Sequence, residues 1–142
     1  MDNNLLKARD ILQSGDYTCV VCREDTVYTT TRRGVAPLLD WVDDGTDLSG
    51  FYAADRVVGR GAAFLYCLLN VNAVYARVMS HPAAEVLKAY GIEAYADTFV
   101  EGIINRAGTG PCPFEAAVMN IDNAQEALTA IRCRRMELQK GN

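Results

Sequence analysis

Apolar residues recur at helical spacing at the start of the chain, and a helix signal also stands near its other end. Within residues 1–15 they lie three or four positions apart or side by side on one face: Leu5, Ala8, Ile11 and Leu12. Gly15 follows as a helix stop. Near the other end, Asp122 has the side chain of an N-cap. The pattern therefore predicts an N-terminal helix over 1–15 and a C-terminal helix over 122–138.

Between these two helices the pattern changes to strands that alternate with helices. Residues 17–23 and 27–31 are rich in β-branched and aromatic residues, and the short turn Glu24-Asp25 joins them, which predicts a hairpin. Further strands are predicted at 51–54, 73–79 and 92–96, and further helices from Pro37, at 55–69, at 82–90 and after Pro113. The order predicts one α/β domain over 1–142, a three-layer α/β/α sandwich around a mixed sheet of about five strands.

Composition supports a globular domain and argues against two classes of partner. Half of the 142 residues are apolar and 23% are charged. The net charge is −4, and the positive charge is concentrated in residues 131–142, which carry four basic residues and one acidic residue. Because the rest of the chain is acidic, we expect no nucleic-acid partner. The longest apolar run, 62–69, is far shorter than the ~20 residues of a spanning helix, so we expect no membrane partner.

The cysteine count and the first residues bear on the compartment. The chain has five cysteines and one histidine, and it begins without a basic segment followed by an apolar one. An odd number of cysteines without a secretory signal favours reduced thiols and a cytoplasmic location.

Four segments are distinctive: Ala54–Ala63 (ADRVVGRGAA), Met79–Ala83 (MSHPA), Ile104–Thr109 (INRAGT) and Cys112–Glu115 (CPFE). Together they resemble a prokaryotic domain-of-unknown-function family with a divergent cytidine deaminase-like fold. The resemblance extends from about Tyr17 to Leu138. It implies a deaminase-like sheet with helices on both faces, and it implies no deamination, because the family has no assigned activity.

The zinc motifs of the deaminases are missing from the predicted positions. Those enzymes place a His or Cys near the start of one helix, a Glu two residues later, and a Pro-Cys-x-x-Cys on the next helix. Residues 55–59 contain no His, Cys or Glu, and residues 80–84 contain His81 but no cysteine. Attack by zinc-bound hydroxide needs both the metal and the Glu. We therefore expect no metal, no cofactor and no zinc-dependent deaminase; whether the chain is another kind of enzyme stays open.

Two cysteine arrangements suggest chemistry. Cys19 and Cys22 form a CxxC, but in an extended strand they point to opposite faces, which disfavours a shared metal. Cys112 precedes a predicted helix start at Pro113, where partial positive charge favours a thiolate nucleophile. Its alternative role is that of a buried loop anchor, and a base such as His81 would have to lie nearby.

Polar residues near two predicted helix starts suggest a ligand cleft. We expect Asp55 and Arg60 on the first turns of one helix and Ser80 and His81 at the start of the next, at the carboxyl ends of neighbouring strands. The four would then line one cleft for a small polar or anionic ligand. The alternative is helix capping by Asp55, Ser80 or His81 and a solvent-facing Arg60.

The segment before the short helix supplies the remaining candidates. Asn105, Arg106 and Thr109 either line the same cleft or fix their own loop by side-chain bonds to the backbone. Glu115 either opposes thiolate formation at Cys112 or caps the turn.

Three hypotheses of function follow. In the first, the domain binds a small polar or anionic molecule, with a nucleotide or nucleobase derivative as one candidate, and does no zinc catalysis. In the second, it is a non-metal enzyme with Cys112 as nucleophile. In the third, it is a structural or oligomerisation module in which edge strands or apolar helices pair two copies.

Overall fold

The computed structural model describes residues 1–140, which form a mixed α/β domain. Its helices are α1 (Asn3–Ser14), α2 (Ala36–Asp43), α3 (Arg60–Leu69), α4 (His81–Ala89), α5 (Pro113–Ala117) and α6 (Ala124–Lys140). Its strands are β1 (Cys19–Arg23), β2 (Thr26–Thr30), β3 (Tyr52–Val58), β4 (Ala73–Ser80) and β5 (Glu93–Val100). The predicted hairpin, the helix from the Pro37 region and the alternation of strands and helices after it are confirmed.

The five strands form one mixed sheet in the order β2-β1-β3-β4-β5. β1 pairs antiparallel with both β2 and β3. β3, β4 and β5 run parallel to one another, since helices α3 and α4 return the chain to the starting edge of the sheet. The carboxyl ends of β3 and β4 are therefore neighbours, with Val58 paired to Met79.

Helices cover both faces of the sheet, but unequally. On one face, α1 buries Leu5, Ala8 and Leu12 against β1, β3 and β4. The other face carries the larger core, whose centre is α3; every residue of α3 except Leu68 is buried. Successive side chains of β1 point to opposite faces of the sheet, so Cys19 belongs to the larger core and Cys22 to the smaller one. The prediction that the CxxC cysteines point to opposite faces is confirmed.

The prediction of a helix over 55–69 is wrong at its start. β3 continues to Val58, and α3 begins at Arg60. Asp55 therefore lies on a strand, where it pairs with Cys19 on one side and Ala76 on the other. The strand's burial is not strictly alternating, because Ala53 and Val58, five positions apart, face the same core. Val57 and Val58 also lie four positions before Gly61 and Ala62, so they continue the helical spacing of α3 in sequence although they belong to the strand.

The start of the C-terminal helix also differs from the prediction. The side chain of Asn123, not Asp122, accepts hydrogen bonds from the first-turn N–H groups of Gln125 (2.9 Å) and Glu126 (3.1 Å). The Asp122 carboxylate instead contacts the guanidinium of Arg60. None of the helices in residues 1–140 is long and apolar enough to cross a membrane.

Candidate ligand-binding cleft

A cleft of about 580 Å³ opens beside the carboxyl-terminal half of β3. One wall is the segment 32–37 between β2 and α2, and the opposite wall is the segment 103–106 together with residues 112–115. The floor is formed by residues of β1, β3 and the first turn of α3. Apolar side chains dominate the walls: Val35, Pro37, Val57, Ile103, Ile104, Pro113 and Phe114.

Four arginines line this cleft, and they differ in whether they have an ion partner. Arg32 pairs with Asp40, and Arg56 pairs with Asp16 at 3.3 Å. Arg33 and Arg106 are exposed and form no ion pair or hydrogen bond with any side chain among residues 1–140. They come from opposite walls: a Cβ placed on Gly34, next to Arg33, would lie 3.8 Å from Nη2 of Arg106. The cleft thus brings two unpaired guanidinium groups to one opening.

Asp55 lies on the floor of the cleft and is the end of a buried hydrogen-bond chain. The hydroxyl of Tyr66, on α3, donates to Asp55 Oδ2 at 2.6 Å. Cys19 Sγ lies 3.2 Å from the same hydroxyl. Burial raises the pKa of Asp55 to about 6, although the Tyr66 hydrogen bond acts in the opposite direction. Burial likewise raises the pKa of Tyr66 and Cys19, which stay protonated at neutral pH.

Glu115 also borders the cleft, but its carboxylate is occupied by the protein itself. Oε2 accepts the backbone N–H of Arg60 at 2.8 Å and the hydroxyl of Ser80, and Oε1 accepts the backbone N–H of Ile103 at 2.6 Å. The side chain is only 5% exposed. Glu115 therefore caps α3 from outside and joins α3, α4 and the 103–112 loop.

The glycines around Arg60 allow this close approach. A Cβ on Gly59 would lie 3.1 Å from Glu115 Oε2, and a Cβ on Gly61 would lie 3.1 Å from the carbonyl oxygen of Phe114. The two glycines of Gly59-Arg60-Gly61 therefore have a packing role, because they let the start of α5 lie close to the start of α3.

Arg60 lies outside the cleft, so the predicted grouping with Asp55 is wrong. Its side chain is directed under α5 and α6, where Nε donates to the carbonyl of Val118 at 2.9 Å and Nη2 to that of Ile121 at 2.6 Å. Nη2 also contacts Asp122 at 3.2 Å. Because α3 begins five residues later than predicted, Arg60 is at its buried first position and not on a solvent-facing turn.

Ser80 and His81 are likewise absent from the cleft lining. Ser80 is fully buried and caps α4, its Oγ accepting the N–H of Ala83 at 3.1 Å while it donates to Glu115. This fits the capping alternative. His81 stacks on Phe99 with ring centroids 5.7 Å apart and lies 3.9 Å from Glu101. Ser80 is the last residue of β4 and His81 the first of α4, whereas the cleft lies on the β1 side of β3.

The loop before α5 contributes Asn105 and Arg106 to the cleft, but not Thr109. Asn105 Oδ1 accepts the N–H of Thr109 at 3.0 Å, and its Nδ2 donates to the Thr109 hydroxyl at 3.2 Å. Asn105 thus has both roles that the sequence left open: it fixes the loop and borders the cleft. Thr109 serves only to close the loop.

Cys112 borders the cleft and precedes the five-residue helix α5. Its backbone N–H donates to the carbonyl of Ile103 at 2.8 Å. No side chain among residues 1–140 forms a hydrogen bond with its Sγ, and His81 lies outside the cleft. The thiol is half-buried and free, and no base in the described residues is hydrogen-bonded to it as activation of a nucleophile requires. Its role as nucleophile stays a prediction.

Residues 1–140 contain no group of three His, Cys, Asp or Glu side chains arranged to hold a metal ion. The two segments where the zinc motifs were expected have structural roles. Residues 55–58 belong to β3, and Ser80 caps α4.

The sequence did not reveal Arg33 and Cys19, which line the cleft, or Tyr66, which is fully buried and donates to Asp55 on the cleft floor. The pair Arg32-Arg33 followed by a glycine at the end of a strand was an available signal for Arg33. Tyr66 gave no signal, because a tyrosine within an apolar helix is typical of a core residue.

Comparisons with known proteins agree with one another. A family model described as TM1506, Domain of unknown function (DUF1893), matches residues 7–134. Among solved structures, the chain is similar to the crystal structure of a DUF1893 family protein (TM1506) from Thermotoga maritima, with a TM-score of 0.85 and 23% identity over 94% of this chain and 92% of that chain. At this identity the likeness shows a shared fold. No curated protein matches the chain.

Proposed function

The chain belongs to the family described as Domain of unknown function (DUF1893), and we propose that it is a binding module for a small anionic molecule. The ligand would occupy the cleft between Arg33 and Arg106. A phosphorylated metabolite, including a nucleotide, has the charge and size that this cleft accommodates.

The observation that carries this proposal is the pair of unpaired arginines at the cleft mouth. In the described residues, acidic side chains neutralise the other two cleft arginines, Arg32 and Arg56, but none neutralises Arg33 or Arg106. The chain as a whole has a net charge of −4, so this local positive charge opposes the average field. Guanidinium groups bind phosphate or carboxylate oxygens through two parallel hydrogen bonds.

The volume and walls of the cleft support a small organic ligand over a simple ion. Binding clefts for such ligands measure roughly 300–1,000 Å³ and combine apolar walls with a few polar groups. The volume of about 580 Å³ is within that interval. Pro37, Pro113 and Phe114 provide rigid apolar surface on both sides.

We also propose that the fold is a divergent cytidine deaminase-like fold without zinc catalysis. The mixed five-stranded sheet with helices on both faces supports the first part. The second part is supported by the engagement of Ser80 with α4 and Glu115, and of Asp55 with Tyr66. Metal analysis of the purified protein tests it: one tightly bound zinc per chain would contradict the proposal.

Thermal unfolding in the presence of anions tests the binding function. Pyrophosphate and a panel of nucleoside mono- and diphosphates are added at millimolar concentration, and at least one is expected to raise Tm by several degrees through mass action. Arg33→Gln and Arg106→Gln should each reduce that rise, and the double variant should abolish it.

Arg134→Gln is the matched control, because Arg134 is on α6, pairs with Glu137 and lies outside the cleft. The proposal fails if no member of the panel raises Tm, or if the double variant responds like the parent protein.

A further inference from the structure

The Asp55 carboxylate has unused capacity to accept hydrogen bonds, and this capacity lies within the cleft. An ionised carboxylate has about four acceptor positions. Tyr66 occupies one on Oδ2 with a short bond, while the backbone N–H of Val57 makes only a long contact of 3.4 Å with Oδ1 and the backbone N–H of Arg56 contributes a further weak bond. Glu115, in the same cleft, accepts three bonds of ordinary or short length from its own chain. Asp55 is therefore the less satisfied of the two.

The hydrogen bonds that link Cys19, Tyr66 and Asp55 determine which of these groups donates and which accepts. The Tyr66 hydroxyl donates its single proton to Asp55, so the Cys19 thiol is left to donate to the Tyr66 oxygen. Both donors point toward the carboxylate. At neutral pH the cleft side of Asp55 thus presents acceptors and no donor.

No basic side chain in residues 1–140 forms an ion pair with Asp55. The adjacent Arg56 pairs with Asp16 instead, at 3.3 Å, and its charge only weakly opposes the rise in the pKa of Asp55. A partly buried carboxylate without a cation gains from any N–H group that a ligand brings to it. Its environment favours a donor from outside the protein.

We infer that the cleft selects ligands carrying an N–H donor, such as an exocyclic amino group, at the end opposite the anionic group. Asp55 accepts from that donor, Arg33 and Arg106 bind the anionic end, and the apolar walls contact a flat body between them. This inference rests on the proposed function, and Asp55 is its specificity-determining residue.

Two probes that differ only in the donor test the inference. AMP carries an exocyclic amino group, and purine riboside 5′-monophosphate lacks it. Isothermal titration at pH 7.5 with the parent protein should give a Kd for AMP about tenfold lower, as expected for one hydrogen bond to a charged acceptor.

Asp55→Asn should bring the two dissociation constants within about twofold of each other while both probes still bind through the arginines. The introduced amide keeps an oxygen for Tyr66 and turns its NH₂ donor toward the ligand. Asp97→Asn is a matched control: Asp97 also accepts from a tyrosine, Tyr75 at 2.6 Å, but it lies outside the cleft, so the tenfold ratio should persist. If Asp55→Asn does not fold, the ratio measured with the parent protein decides alone.

The outcomes separate this inference from the proposed function. Equal affinities for the two probes in the parent protein overturn the inference, as does a tenfold ratio that survives in Asp55→Asn. If only pyrophosphate binds, and the double variant Arg33→Gln/Arg106→Gln binds it more weakly, the anion site is supported and the preference for an N–H donor is overturned. If neither the nucleotides nor pyrophosphate binds, both fail.

Discussion

Asp55 and Glu115 border the same cleft, yet the protein treats the two carboxylates differently. Glu115 is 5% exposed and accepts from two backbone N–H groups and from Ser80. Asp55 is half-buried, accepts one strong bond from Tyr66 and has burial as the main influence on its pKa. The number of short hydrogen bonds supplied by the chain, three at Glu115 and one at Asp55, separates the structural carboxylate from the one available to a ligand.

The arginines show the same contrast. Arg60 is buried and donates to the backbone of the segment between α5 and α6. Arg33 and Arg106 are exposed at the cleft mouth, without a partner in the described residues. Substitution of the first kind of residue should therefore lower stability, and substitution of the second should lower binding.

The largest expected effect is on stability, from Glu115→Gln. An amide at this position places a donor against the N–H groups of Arg60 or Ile103, so buried donors lose their acceptor. The free energy of unfolding should fall by about 3 kcal/mol, measured by urea denaturation. Glu85→Gln, on the exposed side of α4, is the control and should change it by less than about 0.5 kcal/mol. A near-neutral Glu115→Gln would show that the α3–α5 junction does not depend on this carboxylate.

The next effect is a pH dependence that belongs to Asp55. Its pKa in the folded protein is about 6, whereas an Asp in an unfolded chain titrates near 3.9. Between these values the folded protein keeps a proton that the unfolded chain has released, so Asp55 lowers stability as the pH rises, by up to about 3 kcal/mol. The unfolding free energy of Asp55→Asn minus that of the parent should therefore increase from pH 4 to 6 and stay constant above pH 6.

Urea denaturation of both proteins at several pH values measures this difference. A difference in unfolding free energy that stays constant between pH 4 and 7 would show that Asp55 titrates as an ordinary carboxyl group.

The sequence predicted correctly those helices and strands whose turn, capping and side-chain signals lie within the element itself. The hairpin β1–β2 has β-branched strands and a short turn, and α4 has a Ser N-cap followed by proline. β3 was predicted too short because Val57 and Val58 stand four positions before Gly61 and Ala62 and so continue the helical spacing of α3. The C-terminal helix was capped one residue early, because nothing local shows that Arg60 engages Asp122.

The site was predicted less well, because its residues meet only through tertiary structure. Asp55, Asn105, Arg106, Cys112 and Glu115 were found and do border the cleft. Arg33 is separated from Arg106 by more than seventy residues, and their proximity depends on how the two loops pack. Arg60 and Ser80 were misplaced because partners distant in sequence, from Glu115 to Ile121, bury them.

The smallest expected effect is slower alkylation of the Cys112 thiol when a ligand occupies the cleft. Cys112 borders the cleft and Cys133 is exposed on α6 outside it, so a cleft ligand should shield only the first. Pyrophosphate or AMP near saturation should slow alkylation of Cys112 by iodoacetamide a few-fold, followed by peptide mass spectrometry, and leave Cys133 unchanged. Equal slowing at both cysteines would indicate a change in the reagent, and no slowing at Cys112 would place the ligand elsewhere.

The most direct measurement is a map of ligand-induced shifts in the backbone amide resonances during titration with pyrophosphate. We expect shifts concentrated at residues 32–35, 55–57 and 103–106, on the walls and floor of the cleft. Shifts confined to the basic residues 132–135 of α6, or no shifts at all, would contradict the assignment of the anion site to this cleft.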